Sequence, residues 1–374
     1  MQKKPKIILA TALMMFPQIV ETIYSPALPH IAKGFAVGDE QAGQTLSLYF
    51  FAFAVGVVFW GRLCDLAGRR PAIIMGLLLY GAASLVALFS TRFDLLLVAR
   101  MLAAFGAAVG SVGTQSMIRD TYRDKELAQI FSVMGIALAI SPAIGMVAGA
   151  VLTSFWSYQG VFSGLAILAA LLVSWSAIAL PETRPKDVKI APLLQTLIIM
   201  LMDKAIWRAA LLIALFNVCL FSYYQLAPFN FERLGLSTEL FGFSGLLLAL
   251  GVGMGSWLNK YLLQKGWRES RLVLLAALLA LTGGSMVAAM ANTIWFILPM
   301  VMVVMSYGIA IPNILASALT HYADRVGTAG ALFGLLYYLL LGVGLTVAGW
   351  SQKLGVVLMC SAGLALLFAV QRRS

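Results

Sequence analysis

Charge is scarce in this sequence. Only 11% of its 374 residues are Asp, Glu, Lys or Arg, where a soluble domain carries roughly 25%. No polar stretch within it is long enough to make a soluble domain of ordinary size, so no sensor or catalytic module is read from these residues. Cysteine is nearly missing: Cys64, Cys219 and Cys360 are spaced for neither a metal site nor a disulfide framework. The two histidines, His30 and His321, sit at the ends of apolar runs. No nucleophile–base pair and no cluster of metal ligands can be assembled, which argues against an enzyme. No metal and no cofactor is expected.

Apolar side chains are abundant instead, at 61% of the chain. They recur in runs of about 20 residues, the length of a helix that crosses a bilayer. The runs are continuous rather than alternating, which disfavours a β-barrel. Twelve spans are expected, at 7–29, 43–63, 72–90, 94–117, 127–152, 158–180, 205–229, 239–263, 271–290, 293–318, 326–347 and 352–370. Between the ninth and tenth only Ala291 to Thr293 intervene. The fold class is therefore an all-α polytopic membrane protein, twelve transmembrane helices in two six-helix bundles, whose first partner is the lipid bilayer.

The net charge is +11. Its distribution points to topology rather than to nucleic acid. Of 26 Lys and Arg, 21 fall in one alternate set of loops and ends, and only Lys33, Arg92, Arg233 and Lys353 in the other. Arg100 alone is inside a span. The positive-inside rule then puts both termini in the cytoplasm. The basic start, Met1 to Lys6, resembles a signal peptide, but the apolar run continues past Pro17 and Glu21 without a small-residue cleavage site. It is read as an uncleaved first span. The longest non-apolar segment begins Pro181-Glu-Thr-Arg-Pro and divides the chain into an N-terminal bundle (1–180), a cytoplasmic linker (181–204) and a C-terminal bundle (205–374). A shift of 198 residues lays Gly266 on Gly68 and Arg268 on Arg70, a faint trace of parallel halves.

A charge within a span is costly and marks function by default. Glu21 and Arg100 are the two. Glu21 lies eight residues before Pro29, roughly 12 Å from the outer end of its span, and Arg100 roughly 9 Å from the outer end of the fourth. At similar depth and of opposite sign, they either face a shared polar cavity and govern each other's charge state, or form a permanent ion pair that orders the bundle. Burial raises a carboxylate's proton affinity and a nearby cation lowers it, which is sufficient chemistry for exchanging a proton against a solute. Uncharged polar groups within spans extend the candidate cavity: Gln115, Asn217, Tyr223, Gln225 and Asn313, with Tyr24 on the same helical face as Glu21. Each has a plainer reading as helix–helix glue or packing. In the fifth span Pro142 favours a bend, and Gly145 and Gly149 permit close helix approach. The most distinctive stretch is Gly61-Arg62-Leu-Cys-Asp65-Leu-Ala-Gly68-Arg69-Arg70-Pro71. It is either a solvated loop or the latch of a gate.

That stretch is similar to the loop signature of the major facilitator superfamily between its second and third helices: Gly, three positions, Asp, two positions, Gly, Arg and a basic residue. Arg100 with Ala103-Ala-Phe-Gly106 resembles the helix-four motif of the drug–proton antiporters, with Ala104 where glycine is common. Ser141-Pro142-Ala143-Ile144-Gly145 resembles their helix-five motif, short of its full glycine pattern. Glu21-Thr-Ile-Tyr24-Ser-Pro26-Ala27 and Arg119-Asp120 are similar to segments of the Bcr/CflA multidrug-efflux type. The resemblance covers the first half in detail and the second by span pattern. It implies a monomeric exporter of the bacterial inner membrane, working by alternating access on the proton gradient, with spans one, four, seven and ten around the cavity. Glu21 and Arg100 would couple protons. Glu21, Tyr24, Gln115, Asn217, Tyr223, Gln225 and Asn313 would contact a small-molecule substrate. Gly61, Arg62, Asp65, Gly68, Arg69, Arg70, Asp120, Pro142 and Gly145 would gate. The expected activity is antiport of small amphipathic or drug-like compounds. The alternative is a dedicated exporter of a metabolite or siderophore, for which an anionic cargo would make Arg100 a ligand. A channel is disfavoured because most inner halves of the spans lack polar residues.

Overall fold

The computed structural model describes residues 4–185 and 192–371. Lys3, Lys186, Lys189, Arg372 and Arg373, part of the expected charge bias, and the middle of the 181–204 linker lie outside the described residues. The described chain is helical almost throughout and contains no strand. In order it forms α1 (Ile7–Thr22), α2 (Leu28–Gly34), α3 (Asp39–Ala67), α4 (Arg69–Leu88), α5 (Phe93–Thr121), α6 (Asp124–Ala179), α7 (Leu193–Met202), α8 (Lys204–Arg233), α9 (Thr238–Gln264), α10 (Glu269–Ala289), α11 (Ile297–Ala318), α12 (Val326–Ser351) and α13 (Leu354–Gln371).

Ten candidate spans are long and apolar enough to cross a membrane, α1 and α2 counting as one. The 56 residues of α6 would run about 84 Å if straight, more than twice a hydrocarbon core. Trp156 (φ −136°) and Ser157 (φ 56°) leave helical geometry within it, so α6 is two crossings that meet at one membrane surface. The 18 residues of α13 supply one more, and twelve crossings result. Their edges fall within a few residues of the expected spans. Local chemistry sets several ends. The Ser237 hydroxyl accepts from Leu240 N–H at 3.2 Å to start α9, and Asp203 accepts from Ala205 N–H at 2.8 Å to start α8. Gly235 (φ 68°) and Gly266 (φ 83°) follow the ends of α8 and α9.

Alternation leaves two faces. The terminal face carries the start of α1, the α3–α4 hinge, α7 and the end of α13. The far face carries α2 and the α8–α9 turn. In the first bundle α5 packs on α3 and α4, and α1 and α6 close around it; the second bundle is α8 to α13. Two seams join the bundles, α3 against α12 and α6 against α9.

Lipid supplies no hydrophobic drive between helices, so close packing by small residues takes its place. A Cβ on Gly106 of α5 would stand 2.7 Å from the Gly76 carbonyl oxygen of α4. A Cβ on Gly149 of α6 would stand 2.8 Å from the Ile23 carbonyl carbon, where the chain leaves α1. The Gly149→Leu substitution should therefore cost about 1–3 kcal/mol by overpacking and lower the thermal midpoint in detergent. Gly363→Leu is the control, because its Cβ would meet nothing within 4 Å and its midpoint should hold.

Candidate functional site

Between the bundles lies a cavity of about 560 Å³. Its wall is drawn from Gln18, Glu21 and Thr22 of α1, Phe50 and Phe53 of α3, Gln115 of α5, Pro142 of α6, Asn217, Phe221 and Tyr224 of α8, Tyr307 of α11, and Tyr337 and Tyr338 of α12. Glu21 is the one charged side chain of that lining. It occupies the last turn of α1, just before the helix gives way to a 3-10 turn at Ser25–Ala27. Pro17 within α1 and Pro26 within the turn donate no backbone hydrogen bond, and this loosened stretch is where the carboxylate enters the cavity. Glu21 is 7% exposed.

Arg100 lies elsewhere. It is 1% exposed inside the first bundle and does not line the cavity. Its guanidinium carbon sits 3.8 Å from the centre of the Tyr24 ring and 4.9 Å from that of Tyr49. Among the described residues, none of its three nitrogens and none of the hydroxyls of Tyr24, Tyr49 and Tyr80 has a hydrogen-bond partner. A desolvated cation–π contact is worth about 2 kcal/mol, against a burial penalty of several kcal/mol for the ion. Arg100 is thus a buried cation that depends on these rings and on the charge of the nearby Glu21 for compensation. Glu21 and Arg100 are not a hydrogen-bonded pair here; Tyr24, three residues past Glu21, packs over the guanidinium.

The other expected polar residues divide. Gln115 and Asn217 reach the cavity with Glu21, whereas Tyr24, Tyr223, Gln225 and Asn313 are not in its lining. Asn313 donates to Asn259 Oδ1 at 2.6 Å and ties α11 to α9. Tyr223 shares a hydrogen bond of 2.6 Å with Ser244 and ties α8 to α9. Gln225 Nε2 donates to Gly43 O at 3.1 Å and to Leu345 O at 3.0 Å, so one amide joins α8 to α3 and α12. Gln44 Nε2 adds a bond to Thr346 O at 3.1 Å. The Ser25 hydroxyl donates to Tyr224 O, and Lys33 pairs with Glu232 at the rim. The Gln225–Gly43, Gln44–Thr346, Ser25–Tyr224 and Lys33–Glu232 contacts cross between the bundles and close the cavity toward the far face.

The hinge at the terminal face is a second constellation. Arg69 is its hub, 4% exposed. It meets Asp65 Oδ1 at 2.9 Å and Asp120 Oδ2 at 2.7 Å, and donates to Cys64 O at 2.7 Å. Arg70 donates to Ala177 O at 2.7 Å. Gly61 faces the second bundle, with a Cβ position 3.8 Å from Ala331 Cβ of α12, while Arg62 is half-buried one residue on. Pro142 is in the cavity wall, and Gly145 packs against α1, its Cβ position 2.7 Å from Ile19 O.

Glu182 is a residue that sequence reasoning passed over. Its carboxylate accepts from the backbone N–H groups of Arg69 (3.0 Å), Arg70 (3.1 Å), Thr183 (2.9 Å) and Arg184 (2.8 Å). It thereby caps the start of α4 and anchors the linker to the hinge. Partial burial pushes its pKa up, but the four donors outweigh that and hold it below the ordinary value of 4.5. Gly68 makes the approach possible: at φ 108° it has a conformation that favours glycine, and a Cβ there would lie 3.0 Å from Glu182 Cδ. The available signal was the acidic residue in Pro181-Glu-Thr-Arg, where the chain leaves the sixth span.

Residues 8–345 match the family model described as Major Facilitator Superfamily. An uncharacterized transporter of Rickettsia bellii (strain RML369-C) is 30% identical over 339 residues, covering 86% of this chain and 84% of that one. Multidrug resistance protein D of Escherichia coli (strain K12) is 25% identical over 334 residues, with 88% and 84% covered. The crystal structure of a D-xylose–proton symporter superposes with a TM-score of 0.76 at 15% identity, over 97% of this chain and 96% of that one.

The hinge geometry sets two expectations. Gly68→Ala should cost about 1–3 kcal/mol through its backbone conformation, before the crowding of Glu182, and thermal unfolding in detergent measures it. Because the folded pKa of Glu182 is depressed, its ionised form adds stability above the ordinary Glu value, and that stability is lost as pH falls through the folded value. The midpoint gap between wild type and Glu182→Gln should accordingly be widest above about pH 5 and shrink on further acidification.

Proposed function

The chain belongs to the major facilitator superfamily, and from that premise we propose that it is a proton-coupled antiporter exporting small amphipathic, drug-like compounds by alternating access. The observation that carries this reading is Glu21, a lone carboxylate in the wall of an aromatic cavity that is closed toward one face. With the terminal face assigned to the cytoplasm on the Lys and Arg bias, this conformation admits cargo from inside. The 1–180 and 205–374 segments are the two rocking bodies and 181–204 is the tether. The protein acts as a monomer in the inner membrane.

In the inward-facing form, a solute with an apolar body packs on Phe50, Phe221, Tyr224 and Tyr338. Its polar end meets Glu21, Gln115 and Asn217. Glu21 gives its proton to the cytoplasm as the solute binds. After the switch the solute leaves outward, and Glu21 takes a proton from the outside. Arg100 tunes the exchange from under Tyr24. The two opposite charges attract each other through a low-dielectric interior, so a displacement of Arg100 relative to Glu21 changes its proton affinity. An anionic metabolite would need Arg100 as a ligand, and Arg100 is outside the lining. That favours neutral or cationic amphiphiles over the metabolite reading, and the multidrug resistance name of the E. coli relative points the same way.

Ethidium flux in proteoliposomes with an imposed pH gradient tests the coupling. Glu21→Gln should lose gradient-driven flux by about tenfold or more, while ethidium–ethidium exchange persists. Undiminished coupled flux in Glu21→Gln would sink the proposal. The far-face closure gives a second expectation. Gln225→Leu removes one cross-bundle hydrogen bond, to Gly43 O, worth about 1 kcal/mol, so the outward-facing population should rise about fivefold. Labelling of a Phe50→Cys reporter by an impermeant maleimide from outside reads that shift.

A further inference from the structure

Two aromatic rings lie against the Arg100 guanidinium, and they differ in what stands behind them. Tyr24 approaches to 3.8 Å and backs onto Phe162 of α6, with ring centres 5.9 Å apart. Neither of those rings lines the central cavity. Tyr49 of α3 approaches to 4.9 Å and stands against two rings that do line it. It is stacked on Phe53, with centres 6.0 Å apart and planes 20° from parallel, and it meets Phe50 edge-on at 5.7 Å. Tyr49 itself is fully buried and outside the lining.

Phe50 and Phe53 are also where the first bundle touches the second. Phe50 has Phe221 of α8 edge-on at 4.7 Å and Tyr338 of α12 stacked at 6.0 Å, and Phe53 has Tyr338 at 4.9 Å. One line of ring contacts therefore runs from the cavity wall through Tyr49 to Arg100. A solute that packs on Phe221 and Tyr338 takes the place that Phe50 and Phe53 now hold against them. A close-packed interior passes such a displacement on, because it has few voids to absorb it. The Tyr49 hydroxyl has no hydrogen-bond partner among the described residues, so the ring can shift without breaking a bond. The guanidinium it bears on is held by ring contacts rather than hydrogen bonds, and Arg100 and Glu21 act on each other through their charges.

We propose that Tyr49 is a positioning residue that links cargo to proton: a solute seated on the aromatic wall shifts Phe50 and Phe53, these shift the Tyr49 ring, and that ring moves the Arg100 guanidinium relative to Glu21. The inference rests on the antiporter reading and deepens it. A cationic solute displaces the Glu21 proton by direct attraction to the carboxylate, and a neutral one cannot. The ring relay is steric, so it serves a solute that has an apolar, aromatic body and no charge at all. Tyr24 holds the same guanidinium without this connection, since neither it nor Phe162 behind it meets the cavity.

The experiment is calorimetric titration of full-length protein in detergent with chloramphenicol, an aromatic amphiphile that carries no charge near neutral pH. Repeating the titration in buffers of different protonation enthalpy, over a pH series, counts the protons exchanged on binding. Tyr49→Leu removes the ring and Tyr49→Phe keeps it. Tyr49→Met, which fills the site without a ring, takes the place of Tyr49→Leu should that variant unfold. Wild type is expected to exchange protons on binding, and Tyr49→Phe to match it within about twofold. Tyr49→Leu is expected to lose about fivefold or more of the exchange while its Kd stays within about threefold. Full exchange in Tyr49→Leu, an equal loss in Tyr49→Phe, or no binding or no exchange in wild type overturns the relay. Gradient-driven ethidium flux by wild type is measured alongside. Flux without chloramphenicol-linked protons would sink the relay and leave the antiporter reading standing; linked protons without flux would do the reverse.

Discussion

In hydrocarbon a polar group has no water to turn to, so each one must find its partner inside the protein or remain costly. Most of this structure follows from that constraint. Asn313 finds Asn259, Tyr223 finds Ser244, and Gln225 finds the carbonyls of Gly43 and Leu345. Each of these bonds ties one helix to another. The exceptions stand out against this background. Arg100 has a full set of donors and no acceptor, three tyrosine hydroxyls near it have no partner, and Glu21 opens into a cavity. The Arg100 guanidinium and the hydroxyls of Tyr24, Tyr49 and Tyr80 form one such cluster inside the first bundle.

The far-face seam and the bundles themselves are held by different forces. Toward the far face a few hydrogen bonds and one rim ion pair cross between bundles. Each is worth about 1 kcal/mol net, so the closure is strong enough to define a state and weak enough to be exchanged. Within each bundle the glycine contacts of α4 on α5 and of α1 on α6 bring backbones together. Those contacts are extensive and steric, and they do not yield by degrees. Rigid bodies with a weak seam move as bodies, which is the mechanical requirement for alternating access.

Much of this was legible in the sequence, and the boundary has a physical cause. Span number and edges follow from apolar run length, which local composition records directly. Glu21 and Arg100 stood out because charge is so rare in these runs. Which polar residues face the cavity was not legible. Facing is decided by how helices rotate against one another, and Gln225 and Asn313 carry the same amide chemistry whether they meet a solute or a neighbouring helix. Glu182 was invisible for a related reason: its partners are backbone N–H groups at the start of α4, more than a hundred residues earlier, and backbone donors leave no trace in side-chain identity.

The hinge at Gly61–Pro71 can be understood by counting its charge. Arg69 is a single buried cation set between Asp65 and Asp120, and it cannot neutralise both. Glu182 adds a further carboxylate, but the N–H groups at the head of α4 take it up. Asp65 is the more exposed of the pair, at 31% against 15%. Helix register gives that charge a direction. Gly61 faces Ala331 of α12, and the two helices are antiparallel. One turn further toward the terminal face on each helix brings Asp65 toward the first turn of α12, which starts at Val326 without a side-chain cap. A helix start presents bare N–H groups and a partial positive charge. A terminal-face closure that brought these two together would give the uncapped helix start a carboxylate. The salt bridge to Arg69 meanwhile holds the Asp65 side chain in place on α3.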